Sequence, residues 1–453
     1  MSRVGAALLA LACATAATAT ANTTAERCAA AKALVADLAA RALFQGAFVM
    51  DLGGPEPCEG AHGHADAKRG ARFTTRTASD GGSIAKTMTA AAVLRLAAQG
   101  RLELDAPVRQ LVPAYPHAET RVRHLLAHSA GLPGYDWFDE RFGLGKPRSN
   151  AMQLEAVARA GLAPRFAPGT AFAYDNAAYD AAALVVEAAS GLAYSTYLQR
   201  EFFEPFGMRD AFVRPARLAD FPGTRTRGYR RDKAGLERLD AIEGEAFHGG
   251  GNVYASAADL QRWAAAFARD DPIVAAARRH AQGRARLANG HATGLSLSSW
   301  YSDAAAGRHY YTGHHQGFYA LAFWNGATGR SFAFVSNQRM PAWLEYQLPR
   351  ALIALMEGKP TDRPEAPETA PAPPGTSRWR LEGLGSLEVA PGRGRGLRVT
   401  APSGVEYEAF PVGAGTWYIP GLDARMHWDK SGRLLWNTVF MQARGERLGS
   451  KGP

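Results

Sequence analysis

Residues 81–96 read GGSIAKTMTAAAVLRL and place a serine and a lysine three positions apart, at Ser83 and Lys86. Alanine, leucine and methionine favour helix, so the run predicts a helix over residues 84–99 that ends at Gly100. Positions i and i+3 share one face of a helix, which puts the Ser83 hydroxyl beside the Lys86 amine. The two preceding glycines place Ser83 in the first turn, where the positive helix end favours a developing anion.

A lysine amine beside a serine hydroxyl can take the hydroxyl proton and so make the oxygen a nucleophile. The S-x-x-K pattern is weak evidence by itself, because the same spacing arises by chance in a chain of 453 residues. Two further tripeptides add to it. A YDN sequence at 174–176 follows a Pro-Gly turn, and a YTG sequence at 311–313 precedes a predicted strand.

Five longer segments, in this order along the chain, carry a resemblance to a known family. They are GSIAKTMTAAAVLRL (82–96), RVRHLLAHSAGLPGY (121–135), FAPGTAFAYDNAAYDAAALVVEAASG (166–191), EPFGMRD (204–210) and GGGNVYASAADLQRW (249–263). Together they resemble the serine β-lactamase and penicillin-binding-protein superfamily, particularly its class C-like branch of esterases, D-stereospecific peptidases and β-lactamases. The resemblance implies an α/β fold with a helical subdomain and an active site between the two.

The resemblance also implies a role for each matching residue. Ser83 would be the acylated nucleophile, and Lys86 would share the general-base role with Tyr174. Asn176 would hydrogen-bond both the substrate and Lys86. The backbone N–H groups of Ser83 and His314 would form an oxyanion hole, whose fixed donors meet the charge of the tetrahedral intermediate.

The third element of the family's site departs from its usual pattern here. Tyr311, Thr312 and Gly313 match its three substrate-binding positions, but the first is usually lysine or histidine. A cation at that position helps to hold a substrate carboxylate, whereas tyrosine supplies a neutral hydroxyl at pH 7. We therefore expect poor recognition of penicillins and D-Ala-D-Ala peptides, unless His314 or His315 supplies the charge.

The hydrophobic pattern predicts one mixed catalytic unit over residues 27–358. Helical patterns occupy 29–43 and 177–190, and strand patterns occupy 46–52, 319–324 and 331–336. An early strand, a helical middle and late strands predict a sheet flanked by helices, an α/β (α+β) arrangement.

A proline-rich segment separates the predicted catalytic unit from the C-terminal residues. Proline at the density found in residues 359–376 opposes helix and sheet and predicts an extended linker. Residues 377–453 are rich in Trp, Val, Tyr and Gly with frequent turns, which predicts a small all-β domain. This domain could bind a ligand, pack against the catalytic unit or cap its cleft.

Residues 1–21 have the pattern of a signal peptide. Arg3 precedes an apolar run, and the sequence ATA at 19–21 fits a signal-peptidase site. The run is too short for a stable membrane span, so we expect a periplasmic or secreted protein. Cleavage would leave Cys28 and Cys58, which suggest a disulfide in an oxidising compartment, with two separate buried thiols as the alternative.

The net charge of +10 comes mainly from arginine, and no run of five or six basic residues occurs. We interpret it as a solvated basic surface without a nucleic-acid partner, with weak contact to an anionic cell-wall polymer as the alternative. We also expect no cofactor and no metal. His124 and His128 have the i, i+4 spacing of metal ligands, but no H-E-x-x-H pattern or third ligand accompanies them, which favours buried, hydrogen-bonded histidines.

The sequence thus predicts a secreted serine hydrolase that cleaves an ester, amide or peptide through an acyl-enzyme on Ser83. A true β-lactamase or D,D-peptidase is the enzymatic alternative. A homologue that keeps the fold, has lost turnover and binds a ligand is the non-enzymatic alternative. The intact Ser83, Lys86, Tyr174 and Asn176 favour an enzyme.

Overall fold

The computed structural model of the protein describes residues 23–143, 147–222, 225–232, 235–239, 243–367, 375–381, 385–392, 396–400, 406–413, 415–420, 424–429, 432–438 and 441–448. The expected signal peptide at 1–21 and residues 368–374 of the expected linker lie outside the described residues.

Helices and short strands alternate through the described part of the N-terminal unit. The helices are α1 Thr24–Ala40, α2 Ala85–Ala98, α3 Val122–Leu126, α4 Tyr135–Phe142, α5 Asn150–Arg159, α6 Asn176–Ser190, α7 Tyr194–Leu198, α8 Ala257–Ala268, α9 Ala275–Ala281 and α10 Ala342–Met356. The strands are β1 Gly46–Met50, β2 Cys58–His62, β3 His64–Asp66, β4 Ala71–Arg72, β5 Ser79–Asp80, β6 Arg148–Ser149, β7 Phe212–Val213, β8 Tyr229–Asp232, β9 Gly235–Arg238, β10 Glu245–Ala246, β11 Val253–Ala255, β12 Tyr301–Asp303, β13 Arg308–His315, β14 Phe318–Asn325 and β15 Arg330–Ser336.

An antiparallel sheet with the strand order β12-β13-β14-β15-β1-β2 forms the centre of this unit. Its first strand in the chain, β1, lies between the last strand, β15, and β2. β1 (GAFVM) and β14 (FYALAFWN) are buried along their whole lengths. Strands with no exposed face are those covered by helices on both sides.

Side-chain alternation along β14 shows which helices cover which face. Trp324 packs against Phe267 of α8, with ring centroids 5.5 Å apart. Leu321 and Phe323 point the other way and line a cavity against α10. α2 packs against α6 and α9, and its Thr87 accepts from Trp263 of α8 at 2.9 Å. It therefore joins the helix that covers the sheet to the helical part. The predicted α/β fold with a helical subdomain is therefore confirmed.

The first helix begins earlier than the sequence pattern indicates. We expected a helix from residue 29, whereas α1 begins at Thr24. A capping box explains the difference: the Thr23 hydroxyl accepts from Glu26 N at 3.2 Å, and the Glu26 carboxylate accepts from Thr23 N at 3.0 Å. Side-chain caps of this kind extend a helix beyond its apolar pattern.

The C-terminal strands close into a barrel of sequentially paired antiparallel strands, with the last strand paired to the first. These strands are β16 Ser377–Leu381, β17 Gly385–Pro391, β18 Leu397–Thr400, β19 Glu406–Gly413, β20 Thr416–Ile419, β21 Ala424–Trp428, β22 Leu434–Thr438 and β23 Met441–Leu448. The buried rings of Trp379, Trp417 and Trp436 help to fill the interior. The interior of a barrel of this size is just wide enough for its own side chains or for one small ligand. The expected all-β C-terminal fold is confirmed.

The barrel packs against α10 of the N-terminal unit. The Tyr346 ring lies 5.4 Å from the ring of Tyr418 in β20, and Arg425 donates to the Tyr346 hydroxyl at 3.0 Å. Gln347 donates to the Val412 carbonyl at 3.4 Å. Residues 359–367, the described start of the expected linker, contain no helix or strand.

No single helix among the described residues is long and apolar enough to cross a membrane. A helix pair at Asn176–Ser190 and Tyr194–Phe203 meets the length and composition test only jointly, and it is bent by 76°.

A disulfide joins Cys28 of α1 to Cys58 of β2, with Cα atoms 5.5 Å apart. It closes a loop with a sequence separation of 30 residues and ties the first helix to the edge of the sheet.

We predict that the double variant Cys28→Ala/Cys58→Ala loses about 3–4 kcal/mol of unfolding free energy, because the open chain gains the entropy that the crosslink removes. Urea unfolding of the variant and the wild type measures the difference. As a control, denatured but unreduced mature wild type should take up no alkylating reagent at either position. Uptake at both cysteines, or equal unfolding free energies, would contradict the prediction.

Candidate active site

Ser83 lies in a short 3₁₀ turn, Gly82–Ile84, directly before α2. The helix carries Lys86 on the same face, so its Nζ lies 3.2 Å from the Ser83 oxygen Oγ. On the other side of Oγ, the Tyr174 hydroxyl donates to it at 2.8 Å. The structure thus brings together the three residues that the sequence assigned to nucleophile and base.

Lys86 is fully buried and has oxygen atoms on three sides. Its Nζ donates to Asn176 Oδ1 at 2.6 Å and also to the Gly250 carbonyl. Those two oxygens take two of the nitrogen's hydrogens. The remaining position on the nitrogen faces Ser83, where an ammonium donates a hydrogen bond and a neutral amine accepts one.

The Gly250 carbonyl is a lysine partner that sequence reasoning missed. A Cβ on Gly249 would lie 2.3 Å from the Tyr179 carbonyl, and one on Gly250 would lie 2.8 Å from the Asn176 carbonyl. Only glycines allow this turn to press against α6. The buried Asp180 holds the turn by accepting from Gly250 N at 3.0 Å. Nothing in the GGG sequence at 249–251 indicated that a carbonyl would reach Lys86.

The proposed oxyanion hole depends on another close approach of glycines. A Cβ on Gly82, whose φ is +51°, would lie 2.7 Å from His314 N. A Cβ on Gly313 would lie 1.9 Å from the Gly81 carbonyl oxygen and 3.1 Å from Ser83 N. The two expected donors, Ser83 N–H and His314 N–H, therefore lie in the same narrow gap.

This gap exists because β13 is longer than its outer neighbour. β12 pairs only with residues 308–310 of β13, so residues 311–315 have no strand on that side within the described chain. An unpaired strand edge presents free backbone N–H groups. The Gly82–Ile84 turn packs against this edge.

Tyr311 and Thr312 lie on opposite faces of β13. The Tyr311 hydroxyl lies 3.4 Å from the Tyr174 hydroxyl, and its ring stacks on Tyr301 at 5.5 Å. Burial raises the pKa of Tyr311 well above its usual value, so the position holds a neutral phenol. The Thr312 side chain instead lines the cavity against α10, away from Ser83.

The two histidines after Gly313 also separate. His314 donates through Nε2 to Glu345 of α10 at 3.0 Å, so only its backbone faces the site. His315 donates through Nδ1 to the buried Asp80 at 2.7 Å. Each imidazole is thus engaged by a carboxylate of the protein.

His128 contacts the candidate base in a way that the sequence did not indicate. Its ring stacks on Tyr174 with centroids 4.6 Å apart, and its Nδ1 accepts from Asp175 N at 3.0 Å. Burial, and after it the charge of Lys86, lower the pKa of His128 well below its usual value. It is therefore a neutral, buried spacer behind Tyr174. His124 accepts from Arg121 N at 3.2 Å.

Comparison with known proteins shows which family the chain belongs to. Residues 31–367 match the sequence profile of a family described as Beta-lactamase, and this range is well over half of the chain. The chain belongs to the β-lactamase family.

This β-lactamase-family protein is 26% identical over 343 residues to penicillin-binding protein 4* of Bacillus subtilis (strain 168), covering 72% of this chain and 75% of that protein. It is 35% identical over 167 residues to esterase EstB of Burkholderia gladioli, covering 33% of this chain and 42% of that protein. Among solved structures, SurE aligns with a TM-score of 0.63 at 23% identity, covering 94% of this chain and 99% of that chain. The similarity to SurE shows a shared fold.

Asp175, between Tyr174 and Asn176, is the buried N-cap of α6. Its Oδ1 accepts from Ala178 N at 3.3 Å, while Oδ2 has no hydrogen-bond partner among the described residues. Burial raises the pKa of Asp175 to about 7, with Arg165 opposing the shift. The folded protein therefore holds the proton of Asp175 more tightly than the unfolded chain does.

We predict that Asp175→Asn flattens part of the pH dependence of stability. In the wild type the raised pKa makes Asp175 lower the unfolding free energy as pH rises from about 4 to about 7, by on the order of 1–4 kcal/mol. Asparagine keeps the N-cap but cannot ionise, so the variant should gain stability relative to the wild type at pH 8 but not at pH 4. Urea unfolding at both pH values measures this.

Asp175→Ser, which also keeps an N-cap oxygen, serves as the matched variant. Other buried carboxyl groups are common to all three proteins and cancel in the differences. A variant-minus-wild-type difference that is the same at both pH values would contradict the assignment.

Proposed function

We propose that this protein is an exported serine hydrolase that cleaves esters or amides through a covalent acyl-enzyme on Ser83. The observation that carries the proposal is the hydrogen-bonded group of Ser83, Lys86 and Tyr174. It lies beside the two expected backbone donors, Ser83 N–H and His314 N–H, whose segments approach closely at Gly82 and Gly313. A nucleophile, a proton acceptor and an oxyanion site in mutual reach are the parts that acyl transfer requires.

The first step of the proposed reaction forms a bond between Ser83 Oγ and the substrate carbonyl carbon. The Ser83 proton moves to the unit formed by Tyr174 and Lys86, and the carbonyl oxygen becomes an oxyanion. The N–H groups of Ser83 and His314 stabilise that negative charge.

In the second step the tetrahedral intermediate collapses. The bond to the leaving oxygen or nitrogen breaks, and the leaving group takes the proton back from the Tyr174–Lys86 unit. Water then attacks the acyl-enzyme through the same groups, which releases the acid and restores Ser83. Lys86 and Tyr174 act here as one coupled proton-transfer unit.

Tyr311 supports a preference for substrates without a carboxylate next to the reacting carbonyl. It supplies a buried neutral hydroxyl where the usual family pattern has a cation. His314 and His315 already donate to Glu345 and Asp80. Both observations favour ester or amide hydrolysis over β-lactam or D,D-peptide turnover.

Two features support export. The residues at 1–21 have the composition of a cleavable signal peptide. A disulfide between Cys28 and Cys58 suits an oxidising compartment.

We predict that Ser83→Ala removes labelling by a fluorophosphonate and lowers the hydrolysis of an aryl acetate by at least about 10³-fold, since the nucleophile of a catalytic unit cannot be replaced by its partners. Ser195→Ala, which changes an exposed serine of α7, should behave as the wild type. Activity of pure Ser83→Ala protein near the wild-type rate would refute the role of Ser83.

We also predict that Tyr311→Lys raises the ratio of kcat/KM for a cephalosporin to kcat/KM for an aryl acetate. A charged hydrogen bond to a carboxylate contributes roughly 1.5–3 kcal/mol, equivalent to about ten- to a hundred-fold in this ratio. Tyr311→Phe keeps the ring without adding a charge and should leave the ratio close to that of the wild type. A wild type that already prefers the cephalosporin would show that another group holds the carboxylate.

A further inference from the structure

A buried carboxylate bridges the two segments that supply the oxyanion donors. Asp80, 1% exposed at the end of β5, accepts from Gly82 N through Oδ1 at 2.8 Å. Its other oxygen, Oδ2, accepts from His315 Nδ1 at 2.7 Å. One carboxylate thus binds the Gly82–Ile84 turn, which carries Ser83, and the end of β13 at the same time.

The bonded residues are the direct neighbours of the two donors. Gly82 precedes Ser83, and His315 follows His314. Between them the backbones approach so closely that neither Gly82 nor Gly313 has room for a Cβ. Sterics alone keep such surfaces from moving closer but do not keep them from separating, whereas the Asp80 bridge opposes separation.

We propose that Asp80 and His315 form a positioning pair that fixes the separation of Ser83 N–H and His314 N–H, the two donors of the oxyanion hole. This inference rests on the acyl-transfer function proposed above. Asp80 and His315 are positioning residues, since they act through the backbone of their neighbours.

The charges around the pair favour an ionised bridge. Glu245 and Arg214 form a buried ion pair, and the charges of both influence His315. Arg214 also donates to Asn252 at 3.4 Å. Burial lowers the pKa of His315, and Arg214 lowers it slightly more. Asp80 and, less strongly, Glu245 raise the pKa by more than this, so the net shift is upward. A charged hydrogen bond is stronger than a neutral one and holds its partners closer.

The chain offers a matched control with the same local geometry far from the site. Asp51 accepts from Gly53 N through Oδ1 at 2.8 Å and from Arg269 through Oδ2 at 2.8 Å. It follows β1 at the end of the sheet opposite to His315. Substituting Asp51 therefore removes the same kind of turn and ion pair without touching the donors.

The test compares Asp80→Ala, Asp80→Asn, His315→Ala and Asp51→Ala on an aryl acetate. Asp80→Ala and His315→Ala should each lower kcat about ten- to a hundred-fold with KM within about twofold, because a misplaced donor weakens the transition state more than the ground state. Asp80→Asn keeps the acceptor for Gly82 N and can donate to neutral His315, so it should lose less. Asp51→Ala should retain wild-type kcat.

Coupling is a second readout. If the pair acts as one unit, Asp80→Ala/His315→Ala should lose about as much as either single variant. Inhibition by phenylboronic acid, which forms a tetrahedral adduct on Ser83 with an oxygen in the hole, should weaken by the same factor as kcat. Losses that multiply in the double variant, a rise in KM at constant kcat, or unchanged boronic-acid affinity would overturn the inference.

A structural readout does not depend on turnover. Crystal structures of Asp80→Ala and Asp51→Ala should show the separation of Ser83 N and His314 N changed by more than about 0.5 Å in the first and unchanged in the second. An unchanged separation in Asp80→Ala would overturn the pair. A wild type that neither hydrolyses esters nor reacts with a fluorophosphonate would instead refute the proposed function, and the two failures are therefore distinguishable.

Discussion

The site is organised around a lysine nitrogen that has no access to water. Leaving a buried amine or ammonium without partners costs several kcal/mol, so burial of Lys86 requires acceptors from the rest of the fold. They come from three places: Ser83 at the start of its own helix, Asn176 at the start of α6, and the Gly250 carbonyl. Satisfying this one nitrogen fixes the relative positions of α2, α6 and the glycine turn.

A second constraint concerns distance between backbones. The donors at Ser83 and His314 can converge only where Gly82 and Gly313 leave room, and only because β13 extends past β12 as an open edge. Strand edges are usually protected because they invite pairing with other chains. Here the Gly82–Ile84 turn packs against the open edge and so shields it.

Buried polar groups support the residues around Ser83 from behind. His128 stacks on Tyr174, Asp180 holds the glycine turn, and Asp175 caps the helix that carries Asn176. Asp175 has one oxygen unpartnered among the described residues and a raised pKa. A buried polar oxygen without a partner lowers stability, and the extensive apolar core offsets that loss.

The sequence by itself predicted Ser83 beside Lys86, the mixed fold and the all-β C-terminal part, and its resemblance to the family assigned roles to Tyr174 and Asn176. Those features depend on short-range spacing: i, i+3 on a helix, two-residue alternation in strands, and the order of motifs along the chain. The sequence did not determine that Gly250 would face Lys86, that Thr312 would turn away from Ser83, or that Asp80 would bridge to His315. These contacts join residues up to 235 positions apart, and only the packing of the sheet against the helical part sets their distances. Local patterns constrain neighbours along the chain, whereas the geometry of a site depends on which distant backbones the core forces together.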